Sequence, residues 1–470
     1  MNKTLISHII IWLSVFTCSA FAEEPRLYSG EIQVPTLGPL KMTLGVSETD
    51  EGTFLLLTVQ AQGATNIPLP ATYSQDGSLR AELPEAGLTI VVAENDDFTK
   101  LTGQMDQGLI FPIDFDRVEV IAELVRPQNP AEPFPYSSRE VTALHASGHV
   151  LQGTLTIPSG NGPFPCAVLI SGSGMQDRDE SLMGHKPFLV IADYLTRNGI
   201  AVLRFDDRGV GGSVVEYPEE LESVTSEDFA TDVEVMVHAA RMHPSIDPRR
   251  VGVIGHSEGG LIGPMVAVND DKLAFVVMLA GPGVPGYELL PVQQAMIFQT
   301  TRVDQTIIDG VVNASMSLYE MIEAGASGDD LREQMTELVE YQLAAGGLDI
   351  SEEMFEQAVD EGLETMVLPW MQFFLFHDPA LVLAKVTCPV LAMNGTKDVQ
   401  VSSTQNLPVI ETAMSEVGGD ITIVELDGLN HLFQPATTGA VSEYGIIETT
   451  FDPTALEAMG NWLLEVTDDD

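Results

Sequence analysis

The sequence predicts an α/β body, built on a mostly parallel sheet with helices on both faces, that follows a small all-β domain and carries a helical insertion. Three observations predict this. Beyond about residue 137, short continuous apolar runs alternate with amphipathic stretches, and repeated βα units assemble as a parallel, right-handed sheet. Before residue 125 the chain shows β-rich runs divided by turn signals, with no helical period. Between residues 281 and 385 the pattern is helical and contains no good strand.

The bulk composition agrees with that division. A chain of 470 residues is long enough for two domains. Hydrophobic residues at 44% and charged residues at 19% exclude bulk disorder. The 69 acidic residues outweigh 21 basic ones, leaving a net charge of −48. A surface this negative repels nucleic acids and anionic membranes, so neither is expected as a partner.

Residues 1–22 read as a secretory signal. Lys3 precedes an apolar stretch from Leu5 to Phe16, and small residues at Ala20 and Ala22 suit cleavage after Ala22. The apolar stretch is shorter than the ~20 residues of a spanning helix. Phe16 and Thr17 do not form a lipoprotein box before Cys18. An exported protein, periplasmic or extracellular and without stable membrane insertion, is expected. Cys166 and Cys388 each head a buried strand, where small core residues are more common than a disulfide. No Cys and His pairing suggests a metal site.

Residues 23–125 form the expected all-β domain, as a sandwich or partly closed barrel. Two β-rich runs flank an acidic turn at Ser47–Gly52, and Asp76-Gly77 marks another turn. Four prolines in "RPQNPAEPFPY", residues 126–136, favour an extended linker. The α/β body then occupies 137–470. Val141–Ala146 and Val150–Ile157 read as an antiparallel entry pair. "CAVLIS" (166–171), "IAVLRF" (200–205), Val251–Gly255, "AFVVMLAG" (274–281), "CPVLAMNG" (388–395) and "ITIVEL" (421–426) read as strands covered on both faces. Helices are expected at Pro187–Asn198, at Ser226–Met242, after Ser257, and at Pro453–Glu465. The insertion, about 284–385, reads as a cap with helices at Glu333–Ala345 and Glu352–Phe376. Its Met and aromatic residues suit a cap core, and Trp370, Phe373 and Phe374 are candidates for a substrate pocket.

The chemistry begins at "VGVIGHSEGGLIG", where Ser257 stands between Gly255 and Gly259 as a strand turns into a helix. A serine exposed on so sharp a turn occupies a strained conformation and needs tiny neighbours at both flanks. The helix that follows aims its N-terminus at the serine, so the Glu258 amide can donate to a developing oxyanion. Serine needs a base, and the base needs an anion to fix its tautomer. In chain order these are Asp398, just past "CPVLAMNG", and His431, just past "ITIVEL". Asp427 is the rival acid, but it lies too near His431 in sequence to reach the far ring nitrogen easily. A second oxyanion donor is expected from the glycine-rich loop "SGSGMQDRDE" (171–180), with Ser173 as the donor. "DDRGVGGS" (206–213) lacks the spacing and lysine of a phosphate loop, and reads as a turn held by Asp206 or Asp207 with Arg208.

Together, "SGSGMQDRDE", "RFDDRGVGGS", "GHSEGG", "PVLAMNGTKDVQV" and "LDGLNHLFQ" resemble the α/β-hydrolase superfamily, and specifically secreted bacterial carboxylesterases of the EstD type. The resemblance runs from about Tyr136 to Glu465. It implies an eight-stranded α/β-hydrolase fold, a triad of Ser257, Asp398 and His431, and a helical lid over the acyl pocket. The β-rich leader is similar to the N-terminal module of such proteins. The expected function is hydrolysis of short-to-medium acyl esters, with a small-molecule ester as substrate and no cofactor. A prolyl-oligopeptidase-like serine peptidase, a thioesterase or lactonase, and a non-catalytic ligand-binding module with a silent hydrolase fold are the competing readings.

Overall fold

The computed structural model describes residues 25–468, apart from residues 35–37, 50–51, 60–63, 84–86, 108–109, 122–125, 302 and 348–349. The signal expected at 1–22, with Cys18, lies outside the described residues.

Eight strands make the N-terminal domain: β1 (Arg26–Val34), β2 (Gly38–Thr49), β3 (Gly52–Val59), β4 (Ala64–Tyr73), β5 (Leu79–Leu83), β6 (Leu88–Glu94), β7 (Lys100–Asp106) and β8 (Ile110–Val118). Each pairs antiparallel with the next, and β1 closes on β8 with Leu27 opposite Val118. The sequence left open a sandwich or a partly closed barrel; the chain forms a closed up-and-down barrel, which removes both exposed edges. Period-two alternation explains its filling. On β8, Phe111, Ile113 and Phe115 point inward between exposed neighbours, and Tyr28, Leu44, Leu57, Ile90 and Leu101 complete a packed interior.

The segment expected as a linker is pinned to the catalytic body. Arg126 donates to the carbonyls of Ile447 (3.0 Å), Gly445 (2.8 Å) and Met183 (3.0 Å). Gln128 donates to the Phe451 carbonyl (2.6 Å) and accepts from the amides of Thr450 and Phe451. Prolines make this stretch extended, and these two polar side chains dock it.

The catalytic sheet contains β9 (Ser137–Leu144), β10 (Val150–Ile157), β11 (Phe164–Ile170), β12 (Ala201–Phe205), β13 (Ile246–His256), β14 (Val276–Leu279), β15 (Val390–Gly395) and β16 (Ile421–Leu426). Their order is β16-β15-β14-β13-β11-β12-β10-β9, with β10 antiparallel to both its neighbours, β9 and β12, and the other pairs parallel. The expected mostly parallel eight-stranded sheet is present. Alternate residues of β11 serve two cores: Cys166, Val168 and Ile170 face one layer, Ala167 and Leu169 the other. Helices α1 (Pro187–Arg197), α2 (Ser226–Arg241) and α3 (Glu258–Asn269) follow the early strands. A capping box between Thr225 and Asp228 starts α2, satisfying amides that its first turn leaves unpaired. Cys166 and Cys388 are both free thiols, the former in the core and the latter packed against it.

After β14 the chain leaves the sheet for the cap: α4 (Gly286–Gln299), α5 (Gln305–Glu323), α6 (Asp329–Gly346), α7 (Glu352–Met366), α8 (Pro369–Phe376) and α9 (Pro379–Leu383). One helix was expected over Glu352–Phe376. It is broken, because Pro369 drives Leu368 into extended backbone (φ −62°, ψ 134°) and then opens α8 as its first residue. Helices α10 (Ser403–Ser415), α11 (Val441–Tyr444) and α12 (Pro453–Val466) complete the fold. Helices α1 and α12 cover one face of the sheet, and α2, α3 and α10 the other. Among the described residues no helix is long and apolar enough to cross a membrane.

Candidate active site

Ser257 lies between the last residue of β13 and the first of α3, with φ 53° and ψ −119°. A non-glycine residue here is strained, and the fold holds it by hydrogen bonds: the Ser257 amide donates to the Leu279 carbonyl (2.8 Å), and its own carbonyl accepts from Gly260 (2.8 Å). The flanking glycines are required sterically. A Cβ on Gly255 would collide with the Gly259 carbonyl, and one on Gly259 with the Ile170 carbonyl.

His431 and Asp398 stand at the carboxyl ends of neighbouring strands. The His431 ring donates from Nδ1 to Asp398 Oδ2 at 2.8 Å, with both groups buried. The other Asp398 oxygen accepts from the amides of Gln400 (2.8 Å) and Val401 (2.9 Å), which fixes the carboxylate. The rival Asp427 instead accepts from the Thr396 hydroxyl in a turn. Because Nδ1 is committed, the remaining lone pair of a neutral His431 is on Nε2. The loop carrying His431 is tied by Asn430, whose side chain accepts from the amides of Leu432 and Gln434.

No hydrogen bond joins the Ser257 hydroxyl to the His431 ring among the described residues. Their proximity comes through His256, the residue before the serine. Its ring centroid is 4.9 Å from that of His431, and its Nε2 donates to the His431 carbonyl at 3.0 Å. Catalytic hydrogen bonds commonly tighten only when substrate is bound.

The glycine-rich loop passes directly over the serine. A Cβ on Gly172 would stand 3.2 Å from the Ser257 Cβ. The Gly172 amide is taken by Glu180 Oε1 at 2.8 Å. The amides of Ser173 and Glu258, the two expected oxyanion donors, bond to no other group among the described residues.

The cap reaches the site through Glu258. Its buried carboxyl accepts from the Ser226 hydroxyl (2.6 Å) and from the Trp370 indole (2.8 Å), and also engages the Ser173 side chain. Burial raises this carboxyl above the ordinary range against the pull of those donors. Of the three expected pocket residues, Trp370 therefore binds the residue after the serine and stacks on Phe374 (5.5 Å), while Phe373 stacks on His377 (4.6 Å). None of the three lines the small cavity below the glycine loop, which has Gly172, Gly174, Asp207, Phe229, Asp232 and Glu258 in its wall and about 10 Å³ of free space. That is room for about one water.

Around this cavity the turn expected to pair Asp206 or Asp207 with Arg208 is built differently. Asp206 does hold the turn, by accepting the Gly212 amide, but its arginine partner is Arg178 at 2.7 Å. Arg208 pairs with Asp232 at 2.7 Å, and Asp207 accepts from the Ser171 hydroxyl and the Gln176 amide. Helix α2 presents the buried Asp232 to Arg208, and the glycine-rich loop presents Arg178 to Asp206. The donor atoms of His145, His149 and Asp232 lie within 4.8 Å of one another. Asp232 already serves His149 (2.6 Å) and Arg208, and His145 is engaged by the Ser147 amide at Nδ1 and by the Thr231 hydroxyl at Nε2.

Sequence reasoning missed Glu180, His256 and Asn430. The position of His256 beside the serine was the available signal; Glu180 and Asn430 are recognised only by their partners.

A strained serine at a strand–helix elbow, a buried acid–histidine pair past the ends of β15 and β16, and this strand order decide the fold. The chain has the α/β-hydrolase fold. It is a serine hydrolase, by its match to a hydrolase family model and its similarity to an esterase. A family model described as serine aminopeptidase, S33, matches residues 186–330. Esterase EstD of Thermotoga maritima is 24% identical over 406 residues, covering 83% of this chain and 85% of the relative. Among solved structures, the Pyrococcus furiosus esterase Pf2001 aligns with a TM-score of 0.41 and 14% identity, over 70% of this chain and 92% of that one. A puromycin-hydrolysing peptidase of Mycobacterium tuberculosis aligns with a TM-score of 0.42 and 14% identity, over 92% of this chain and 59% of that one.

Proposed function

We propose that this α/β hydrolase is an exported serine carboxylesterase acting on short-to-medium acyl esters. Ser257 attacks the ester carbonyl while His431 Nε2 takes the hydroxyl proton, and Asp398 holds the ring in that tautomer and stabilises the imidazolium. The amides of Ser173 and Glu258 donate to the tetrahedral anion, each worth about 3 kcal/mol. His431 then protonates the leaving alcohol, and a water that it activates releases the acid from Ser257. None of these steps calls on a metal or cofactor.

The observation that carries this reading is the 2.8 Å bond from His431 to Asp398, bridged by His256 to the serine elbow. The similarity to Esterase EstD along most of both chains supports the ester substrate. Export rests on residues 1–22 of the sequence. A p-nitrophenyl ester chain-length series with wild type and Ser257→Ala tests the assignment. The variant is expected to lose several orders of magnitude in kcat while remaining folded. Wild-type turnover by the variant would refute it.

The serine aminopeptidase description of the matching family model favours a second reading, hydrolysis of peptide amides by the same triad. Parallel assays on aminoacyl and peptide amides separate the two. Amide cleavage exceeding ester cleavage would make the peptidase reading the better one.

A further inference from the structure

We propose that Glu180 and His256 form a buried ion pair that acts as a positioning unit, holding the oxyanion loop and the His431 loop in register about Ser257. The proposal rests on the serine-hydrolase reading of this site and adds two residues to it. Its basis is a single line of hydrogen bonds. Glu180 Oε1 accepts from the Gly172 amide at 2.8 Å and from His256 Nδ1 at 2.8 Å. His256 Nε2 then donates to the His431 carbonyl at 3.0 Å. The line begins at the residue before Ser173, passes through the residue before Ser257, and ends on the proposed base.

The partners define the charge state of His256. One ring nitrogen faces a carboxylate and the other a backbone carbonyl, and both of these groups only accept. A neutral ring has a single N–H and would leave a lone pair against one of them. Both ring nitrogens are bonded as donors only when His256 is an imidazolium, while Glu180 Oε2 is buried with no hydrogen-bond partner.

The surroundings agree. Burial works against that charge, but the Glu180 carboxylate and the His431 carbonyl outweigh it and raise the proton affinity of His256. The ionisable groups facing His256 are Glu180, the His431 ring and, through space, Asp398. Pro187, Phe188, Ile191, Leu279, Leu432 and Phe451 line a small apolar recess together with the pair. With the two side chains only 7% and 8% exposed, the pair is shielded from salt and water. It touches no reacting atom, so its effect is on placement. Displacement of a catalytic group by about 1 Å costs on the order of 100-fold in rate.

Glu180→Gln is the decisive variant, because it keeps the shape and removes the charge. With no carboxylate to hold the imidazolium, one of the bonds at Gly172, His256 or His431 is lost. The expected result is a fall in kcat of about 100-fold with KM little changed. Thermal melting of the variant checks that it is folded. Histidine ring nitrogen NMR on the wild type reads the charge directly and is expected to show His256 protonated at both nitrogens at pH 7. Wild-type kcat in a folded Glu180→Gln, or a neutral His256 in the wild type, would overturn the proposal. Ser257→Ala, run alongside, separates the two claims. If it is inactive while Glu180→Gln is unaffected, only the positioning role falls; if it turns over normally, the triad reading falls first.

Discussion

Asp207 illustrates how much of the site's chemistry is set by single buried groups. Burial pushes its carboxyl up to about 8, against the hydrogen bonds from Gln176 and Ser171 and with the charges of Asp232 and Glu258 adding to the rise. In the unfolded chain the same group ionises near 3.8. Between those values the folded protein holds a proton that the unfolded chain has released. Stability from this group is therefore greatest below about pH 4 and falls as pH rises towards 8. Asp207→Asn removes that dependence. Urea unfolding at pH 5 and pH 8 should show the variant gaining on the wild type as pH rises, and a constant difference would contradict the assignment.

The elements around the serine are fixed by close approach of backbones. Gly255 and Gly259 let β13, α3 and β11 meet where any Cβ would strike a carbonyl. Gly263, one turn further along α3, meets only side-chain methyl groups, the nearest being that of Val276 at 3.2 Å. Gly255→Ala is expected to cost roughly 1–3 kcal/mol and most of the activity, while Gly263→Ala changes stability by less than about 1 kcal/mol. Chemical denaturation of the pair checks this, and equal losses would argue against the elbow's steric origin. At this scale the sequence was informative wherever an element followed from periodicity. The strands were readable because both of their faces are apolar, and the triad candidates because they sit where those runs end. The break at Leu368 was missed, since the apolar stripe of α7 and α8 continues through Pro369 and masks the proline's effect. Arg208 was given the wrong partner because a loop arginine was matched to its sequence neighbours, whereas α2 supplies Asp232 from another layer.

Across the whole molecule, the charge balance sets what approaches the surface, and the sheet sets what meets above it. Sixty-nine acidic residues against 21 basic ones favour neutral or cationic substrates over anionic ones at long range. The closed barrel was legible as all-β, but its closure depends on the pairing of β1 with β8 across the full domain, which no local pattern reveals. For the same reason Glu180 and His256, 76 residues apart, could not be paired from sequence, nor could His256 be joined to His431, 175 residues away. The central claim is that these separate segments converge to make the Ser257 hydroxyl a nucleophile under the control of His431. Mass-spectrometric mapping of a fluorophosphonate adduct tests it most directly. The account predicts one adduct per chain, on Ser257, formed orders of magnitude more slowly in His431→Ala. An adduct on another residue, or undiminished labelling of Ser257 in that variant, would contradict it.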